Sequence, residues 1–137
     1  MFSVNSLRIA VDFDGTIVES RYPDIGKPKL FAFETLKKLQ QDGYLLILWT
    51  YRYGKELDEA VEFCKSNGVE FYAVNKSYPE EELDLKKMSR KVDADIFIDD
   101  RNIGGMYSWG EIYHKITDFK LDAEKPNGFL SKLFKKS

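Results

Sequence analysis

Six polar residues of this chain each lie at or just beyond the end of a short apolar stretch. They are Asp12, Asp14, Thr50, Lys76, Asp99 and Asp100. Paired carboxylates repel each other at a partly dry strand end, so such pairs usually serve a cation or a reaction. Acidic oxygens suit a hard divalent cation, Mg²⁺ above all, while a lysine offsets excess negative charge and a threonine hydroxyl can donate to a phosphoryl oxygen. These residue types therefore indicate metal-assisted chemistry on a phosphate ester.

The spacing of Asp12 and Asp14 allows two different tasks. One carboxylate can attack phosphorus if a cation shields the repulsion between the two anions, which gives a covalent aspartyl-phosphate. A carboxylate two residues further on can protonate the leaving oxygen and then deprotonate water. The turn at Gly15 offers backbone N–H groups that could also bind phosphoryl oxygens.

The hydrophobic pattern predicts alternating strands and helices. Strands are expected over 7–13, 44–49, 69–74 and 94–98, and helices over 30–41, 54–66, 77–91 and 108–116. Long crossovers between strands imply right-handed parallel connections, hence an open doubly wound, Rossmann-like three-layer α/β/α sandwich with a mainly parallel sheet. Because ligands bind beyond the carboxyl ends of such strands, the six polar residues are expected to meet at one edge.

Composition narrows the class of protein. The 137 residues suit one domain, 1–137, and the net charge of −2 gives no reason to expect nucleic acid or an anionic membrane as a partner. The single cysteine, Cys64, permits neither an intrachain disulfide nor a cysteine metal site and is expected in the core. Early acidic residues argue against a signal peptide, and the longest apolar run is too short to cross a membrane. We therefore expect a cytoplasmic protein.

Three stretches resemble motifs of the haloacid dehalogenase-like (HAD) phosphohydrolase superfamily. The sequence DFDGTIV at 12–18 resembles the first motif, LLILWT ending at Thr50 the second, and IFIDD ending at Asp100 the fourth. The resemblance covers residues 7–105 and leaves 106–137 as a C-terminal extension.

The resemblance implies a role for each matching residue. Asp12 would be the nucleophile and a metal ligand, and Asp14 the general acid/base, with its backbone carbonyl on the metal. Thr50 would bind the phosphoryl group, and Asp99 or Asp100 would complete the Mg²⁺ site. The third motif is a single lysine, for which Lys76 is expected and Lys86 and Lys87 are alternatives.

Two other classes fit less well. A calcium-binding loop needs glycine at its sixth position and glutamate at its twelfth, where this chain has Ile17 and Pro23. A receiver-type domain would carry its phosphorylated aspartate after the third strand, where Val74 is followed by Asn75.

The chain has no room for the cap domain that many HAD proteins insert. Residues 18–44 hold only a loop and a helix, and residues 51–75 hold only a helix and a strand. The loop 19–29, here called the flap, would border an open site, and its Arg21 and Lys27 are either substrate contacts or solvated. Substrate contacts are predicted for Gly15, Arg52 and Arg101.

We therefore expect a capless, Mg²⁺-dependent phosphomonoester hydrolase that acts on a small phosphorylated molecule or a phosphorylated macromolecule and could form a homo-oligomer. A phosphotransferase of the same superfamily and a non-catalytic regulatory protein that binds metal or phosphate are the alternatives. His114 lies outside all the motifs and is expected in a surface or packing role. The basic segment 128–137 is expected to be solvated or to contact another subunit.

Overall fold

The computed structural model describes the backbone of residues 7–84 and 86–124 and side chains as far as residue 118. The chain divides into two compact units, Met1–Met106 and Tyr107–Ser137. The elements in chain order are β1 Arg8–Val11, α1 Ala32–Gln41, β2 Leu45–Leu48, α2 Gly54–Ser66, β3 Ala73–Val74, β4 Ile96–Ile98 and α3 Trp109–Glu124.

The first unit is built on a four-stranded sheet in the order β3-β2-β1-β4, and every strand pair is parallel. Because crossovers between parallel strands are right-handed in nearly all proteins, this strand order implies that α1 and α2 lie on one face of the sheet. The β3–β4 connection crosses the sheet in the opposite direction and is expected on the other face. The predicted open, doubly wound, Rossmann-like α/β class is confirmed, and the described residues contain no cap domain.

The central strands are buried on both faces, as their unbroken apolar sequences predict. Residues 9–11 of β1 and 46–48 of β2 are almost completely inaccessible to solvent. Ala10 pairs with Ile47, which pairs with Ala73, and these three residues form a core cluster with Val92.

Helices α1 and α2 follow the predicted amphipathic pattern. Leu36 and Leu39 of α1 are fully buried, and Gly43, with φ of 98°, follows the end of that helix in a left-handed conformation. Cys64 of α2 is also buried, and burial raises the pKa of its thiol to about 12. The expectation that Cys64 belongs to the core is confirmed.

The prediction of a helix over 77–91 is wrong. Turns and bends occupy the described residues there, although the carboxylate of Glu81 accepts the Ser77 N–H at 2.8 Å, much as a helix cap would. The apolar face is too thin to hold a helix against the sheet. Leu83 is 70% exposed, and none of the described residues within 77–91 belongs to the core cluster, which contains the following Val92. The Ser77 hydroxyl instead accepts the N–H of Asp93 at 2.8 Å.

The flap is a short hairpin. The N–H of Glu19 donates to the carbonyl of Lys27, and the N–H of Lys29 donates to that of Ile17, both at 2.8 Å. Val18 forms an antiparallel bridge to Pro28 and a parallel bridge to Asp14. The flap therefore begins close to the carboxyl end of β1.

The second unit contains α3, which is longer than the predicted helix over 108–116 and ends at Glu124. His114 is exposed, as expected, and its ring lies edge-on to that of Tyr113 at 5.8 Å. The basic segment 128–137 lies outside the described residues. Among the described helices, none combines the length and apolar character that crossing a membrane requires.

Candidate active site

The polar residues that follow β1, β2 and β4 meet at the carboxyl edge of the sheet. Two ladder bonds continue past the strands: Asp12 N–H donates to Ile98 O at 3.0 Å, and Trp49 N–H donates to Val11 O at 2.9 Å. The strand order reverses at β1, since β2 lies on one side of it and β4 on the other. Such a reversal is where ligands bind in doubly wound sheets.

Three carboxylates converge at this point. Asp12, Asp99 and Asp100 each offer an oxygen within 4.8 Å of the others, a separation that one metal ion can bridge. Asp99 also accepts the N–H of Arg101 at 2.8 Å, which fixes the loop after β4. The carboxylate of Asp14 is not part of this group. The metal contact predicted for Asp14 is through its backbone carbonyl, and it stays a prediction.

Asp12 is only 8% exposed, and its surroundings disfavour the ionised form. Burial, with smaller contributions from Asp99 and Asp100, raises the pKa of Asp12 to about 7. A hydrogen bond from the Thr16 hydroxyl to Asp12 Oδ2, 2.9 Å long, acts in the opposite direction. A cation bound beside Asp12 would offset this cost of the ionised carboxylate.

Gly15 packs against Asp100, and the predicted contact of Gly15 with substrate stays a prediction. Its N–H donates to the carbonyl of Val18 at 2.8 Å within the turn, so this group is already engaged. The residue has φ of 86°, and a Cβ built there would overlap the carboxylate of Asp100. Glycine is needed at this position for its backbone conformation and for the approach of Asp100.

Asp14 forms a buried bidentate ion pair with Arg52. Arg52 Nε donates to Asp14 Oδ2 and its Nη2 donates to Asp14 Oδ1, both at 2.8 Å, and the two side chains are 1% exposed or less. The hydrogen bond to Asp14 raises the pKa of Arg52. The prediction that Arg52 contacts substrate is therefore corrected, because its guanidinium is turned inward and paired with Asp14.

Thr50 lies where the second motif predicts, at the end of β2. Its backbone N–H donates to the side chain of Asn75 at 2.8 Å, and its hydroxyl oxygen accepts the N–H of Arg52 at 3.1 Å. The ends of β2 and β3 are thereby tied together, and the Thr50 hydroxyl keeps its own hydrogen for an acceptor.

These residues border a cleft of about 300 Å³. Its lining residues are Asp12, Asp14, Trp49, Thr50, Tyr51, Asp99 and Arg101. Arg101 is exposed, and its guanidinium lies 5.9 Å from the ring centre of Tyr51. The predicted substrate contact of Arg101 fits this position and stays a prediction.

Lys76 is not among the residues that line the cleft. It follows β3 as predicted, next to Asn75 with φ of 54°, but its side chain is exposed. Lys86 and Lys87 are also exposed, in a turn rather than on the expected helix. The assignment of the third-motif lysine therefore stays a prediction.

Sequence reasoning gave no role to several residues that shape the site. Thr16 links Asp12 to Asp100, Asn75 holds the backbone of Thr50, and Trp49 and Tyr51 form an aromatic side of the cleft. The position of Thr16 directly after the Asp-Gly turn was a usable signal, because a hydroxyl there lies within reach of both neighbouring strand ends. Nothing in the sequence around Arg52 indicated that its side chain would be buried and paired with Asp14.

The fold and site define an α/β protein with an acidic cluster at the switch point of its sheet. No protein-family model and no curated protein matches the chain. A solved structure, described as the conserved protein coded by locus from Bacteroides thetaiotaomicron, is similar, with 59% sequence identity and a TM-score of 0.77. The match covers 82% of this chain and 91% of that one. The chain therefore belongs to the same family as this Bacteroides thetaiotaomicron protein.

Proposed function

We propose that the chain is a Mg²⁺-dependent phosphomonoester hydrolase of the capless HAD type, which acts through an aspartyl-phosphate on Asp12. The observation that carries the proposal is the convergence of Asp12, Asp99 and Asp100 within 4.8 Å, beside a cleft that Asp14 and Thr50 also border. The three sequence motifs supply these residues independently of that geometry.

The donor set suits Mg²⁺. Magnesium binds through a few carboxylate oxygens and keeps several waters, whereas calcium takes six to eight oxygen ligands. Asp12, Asp99 and Asp100 would hold the ion, which would neutralise charge on the phosphoryl oxygens and on the attacking carboxylate. The raised pKa of Asp12 fits this, because the ionised form is costly there without a cation.

The first half-reaction uses Asp12 and Asp14. A carboxylate oxygen of Asp12 forms a bond to phosphorus while the bond from phosphorus to the ester oxygen breaks. For this step Asp14 carries a proton on an oxygen lone pair that is not used by Arg52, and it donates this proton to the leaving oxygen, so the alcohol departs neutral. Thr50, and Arg101 at the rim, would bind the phosphoryl oxygens and the rest of the substrate.

The second half-reaction returns the enzyme to its starting state. Asp14, now deprotonated, takes a proton from water as the water oxygen bonds to phosphorus. The bond between phosphorus and the Asp12 oxygen breaks, which releases inorganic phosphate and restores the carboxylate. Asp14 is again protonated, so protons balance over the cycle.

A kinetic screen over a broad library of phosphate esters, with Mg²⁺ and with a chelator, tests the proposal. We expect turnover of at least some esters, its loss on chelation, and its loss in Asp12→Asn. Asp58→Asn, an exposed carboxylate on α2, is the matched control and should retain activity. Undiminished turnover in Asp12→Asn, or no hydrolysis of any ester by a protein that binds Mg²⁺, would contradict it.

A further inference from the structure

We propose that Arg52 is a positioning residue that couples the flap to the orientation of the Asp14 carboxylate. This inference rests on the proposed function, in which Asp14 moves both protons. It assigns to Arg52 a task that follows from its contacts and that differs from the substrate contact expected from its position after Thr50.

The contact with Arg52 fixes the plane of the Asp14 carboxylate. Two parallel N–H···O bonds of 2.8 Å join Arg52 to both oxygens of Asp14, and such a pair restricts rotation about the carboxylate's bond to the chain. Asp14 nevertheless borders the cleft, and each of its oxygens has a second lone pair. The pair therefore sets the direction in which Asp14 can exchange a proton with the substrate.

The other donors of Arg52 bind the flap and α2. Nη2 donates to the carbonyl of Asp24 at 2.7 Å, and Nη1 donates to those of Pro23 at 3.2 Å and Glu56 at 3.3 Å. These acceptors are backbone groups, so their positions report the conformation of the flap and of the first turn of α2. A change in the flap conformation would thus move the guanidinium of Arg52, and that movement would reorient the Asp14 carboxylate.

Two aromatic rings flank the guanidinium. The centres of the Phe13 and Tyr22 rings each lie 5.1 Å from Arg52 Cζ, and Tyr22 belongs to the flap. Arg52 is among the largest fully buried side chains of the described residues. Five hydrogen bonds and two rings define one position for it, which is what positioning of a proton-transfer group requires.

Replacement of Arg52 by lysine keeps the charge but removes the planar fork. We expect Arg52→Lys to lower kcat by about 10²-fold, because a small displacement of a proton-transfer group is costly, while KM changes by less than about threefold. Arg90→Lys, at an exposed arginine, is the matched control and should leave both constants unchanged.

A double-mutant cycle separates positioning from general stabilisation. If Arg52 acts through Asp14, Arg52→Lys should cause no further loss of kcat in an Asp14→Asn background. Equal losses in the two backgrounds would contradict the inference, because Arg52 would then act independently of Asp14.

A second variant avoids disturbing the buried ion pair itself. Tyr22 is 41% exposed, so Tyr22→Leu should fold, and we expect its kcat to fall by about tenfold as the guanidinium loses one flanking ring. Tyr53→Leu, at a tyrosine 74% exposed, is the control and should keep its activity. A crystal structure of Tyr22→Leu should show the Asp14 carboxylate rotated from its position in the intact chain.

The outcomes distinguish this inference from the proposed function. An active wild-type protein in which Arg52→Lys and Tyr22→Leu both retain kcat would overturn the inference alone. A wild-type protein that hydrolyses no ester would overturn the proposed function, and the inference with it.

Discussion

The hydroxyl of Thr16 lies 2.9 Å from Oδ2 of Asp12 and links Asp12, at the end of β1, to Asp100, after β4. The same oxygen accepts the backbone N–H of Asp100 at 3.0 Å, which leaves its hydrogen for a carboxylate. Thr16 is fully buried, so this contact is protected from water. The residue therefore stabilises the ionised form of Asp12, on which the proposed nucleophilic attack depends.

We predict that Thr16→Val weakens catalysis most at low pH. Valine has nearly the same shape but cannot donate, so the pKa of Asp12 should rise further and the acid limb of the activity profile should move to higher pH. We expect kcat/KM below neutral pH to fall by about tenfold, with a smaller loss at higher pH. A pH profile with a good ester measures this.

Thr35→Val is the control, because Thr35 is a buried threonine on α1 and does not line the cleft. Its pH profile should have the wild-type shape. An unshifted acid limb in Thr16→Val would contradict the role given to the hydroxyl.

We predict that the metal-free protein loses stability as pH rises and that Mg²⁺ reverses this. The pKa of Asp12 is raised from 3.8 to about 7, so folding favours its protonated form. That contribution is complete below pH 3.8 and is lost as pH rises through about 7. Because Mg²⁺ competes with the same proton, it should bind more tightly, and raise the melting temperature more, at the higher pH.

Thermal unfolding with chelator and with Mg²⁺, on both sides of neutral pH, checks this prediction. In Asp12→Asn the titrating group is absent, so the metal-free protein should lose less stability with pH and should be more stable than wild type at the higher pH. Identical pH dependence in the two proteins would show that Asp12 is not the group responsible.

We predict that Gly15→Ala impairs both folding and metal binding. Left-handed backbone costs alanine about 1–2 kcal/mol, and the new methyl group would also displace the Asp100 carboxylate. Gly105→Ala is the matched control, since Gly105 has φ of 81° and nothing within 4 Å of the added Cβ. Both variants should lose unfolding free energy in denaturant titrations, but only Gly15→Ala should lose Mg²⁺ affinity in calorimetry. Wild-type Mg²⁺ affinity in Gly15→Ala would be inconsistent with Asp100 as a ligand.

We predict that Arg101 contributes to substrate binding more than to the chemical step. Its exposed guanidinium borders the cleft near Tyr51, so Arg101→Ala should raise KM by about tenfold and leave kcat within about threefold. Steady-state kinetics on an anionic ester measures both constants, and Arg90→Ala is the control. An unchanged KM in Arg101→Ala would remove this residue from the substrate site.

The sheet and the residues at its carboxyl edge could be predicted because they follow from short-range pattern and topology. Apolar runs without alternation identify buried parallel strands, and parallel strands bring their carboxyl ends to one edge. Asp12, Thr50 and Asp99 are therefore found together around one cleft.

Two features could not be predicted because tertiary contacts decide them. The segment after β3 has a local capping contact between Ser77 and Glu81, yet none of its described residues within 77–91 belongs to the core cluster, which contains the following Val92. Arg52 follows Thr50 at a spacing typical of a substrate contact, but the flap carbonyls and Asp14 together form a buried acceptor site for its guanidinium. Neither outcome is encoded by spacing along the chain.

The most direct test is to trap the covalent intermediate. A rapidly quenched reaction of the enzyme with Mg²⁺ and a good ester should be reduced with borohydride and digested, and the modified residue should be located by mass spectrometry. Reduction releases the phosphate from an aspartyl-phosphate and converts that residue to homoserine. We predict that homoserine is found in place of Asp12, that it appears within the first turnover, and that it is absent in Asp12→Asn. Turnover without modification of Asp12, or modification of another residue, would contradict the proposed mechanism.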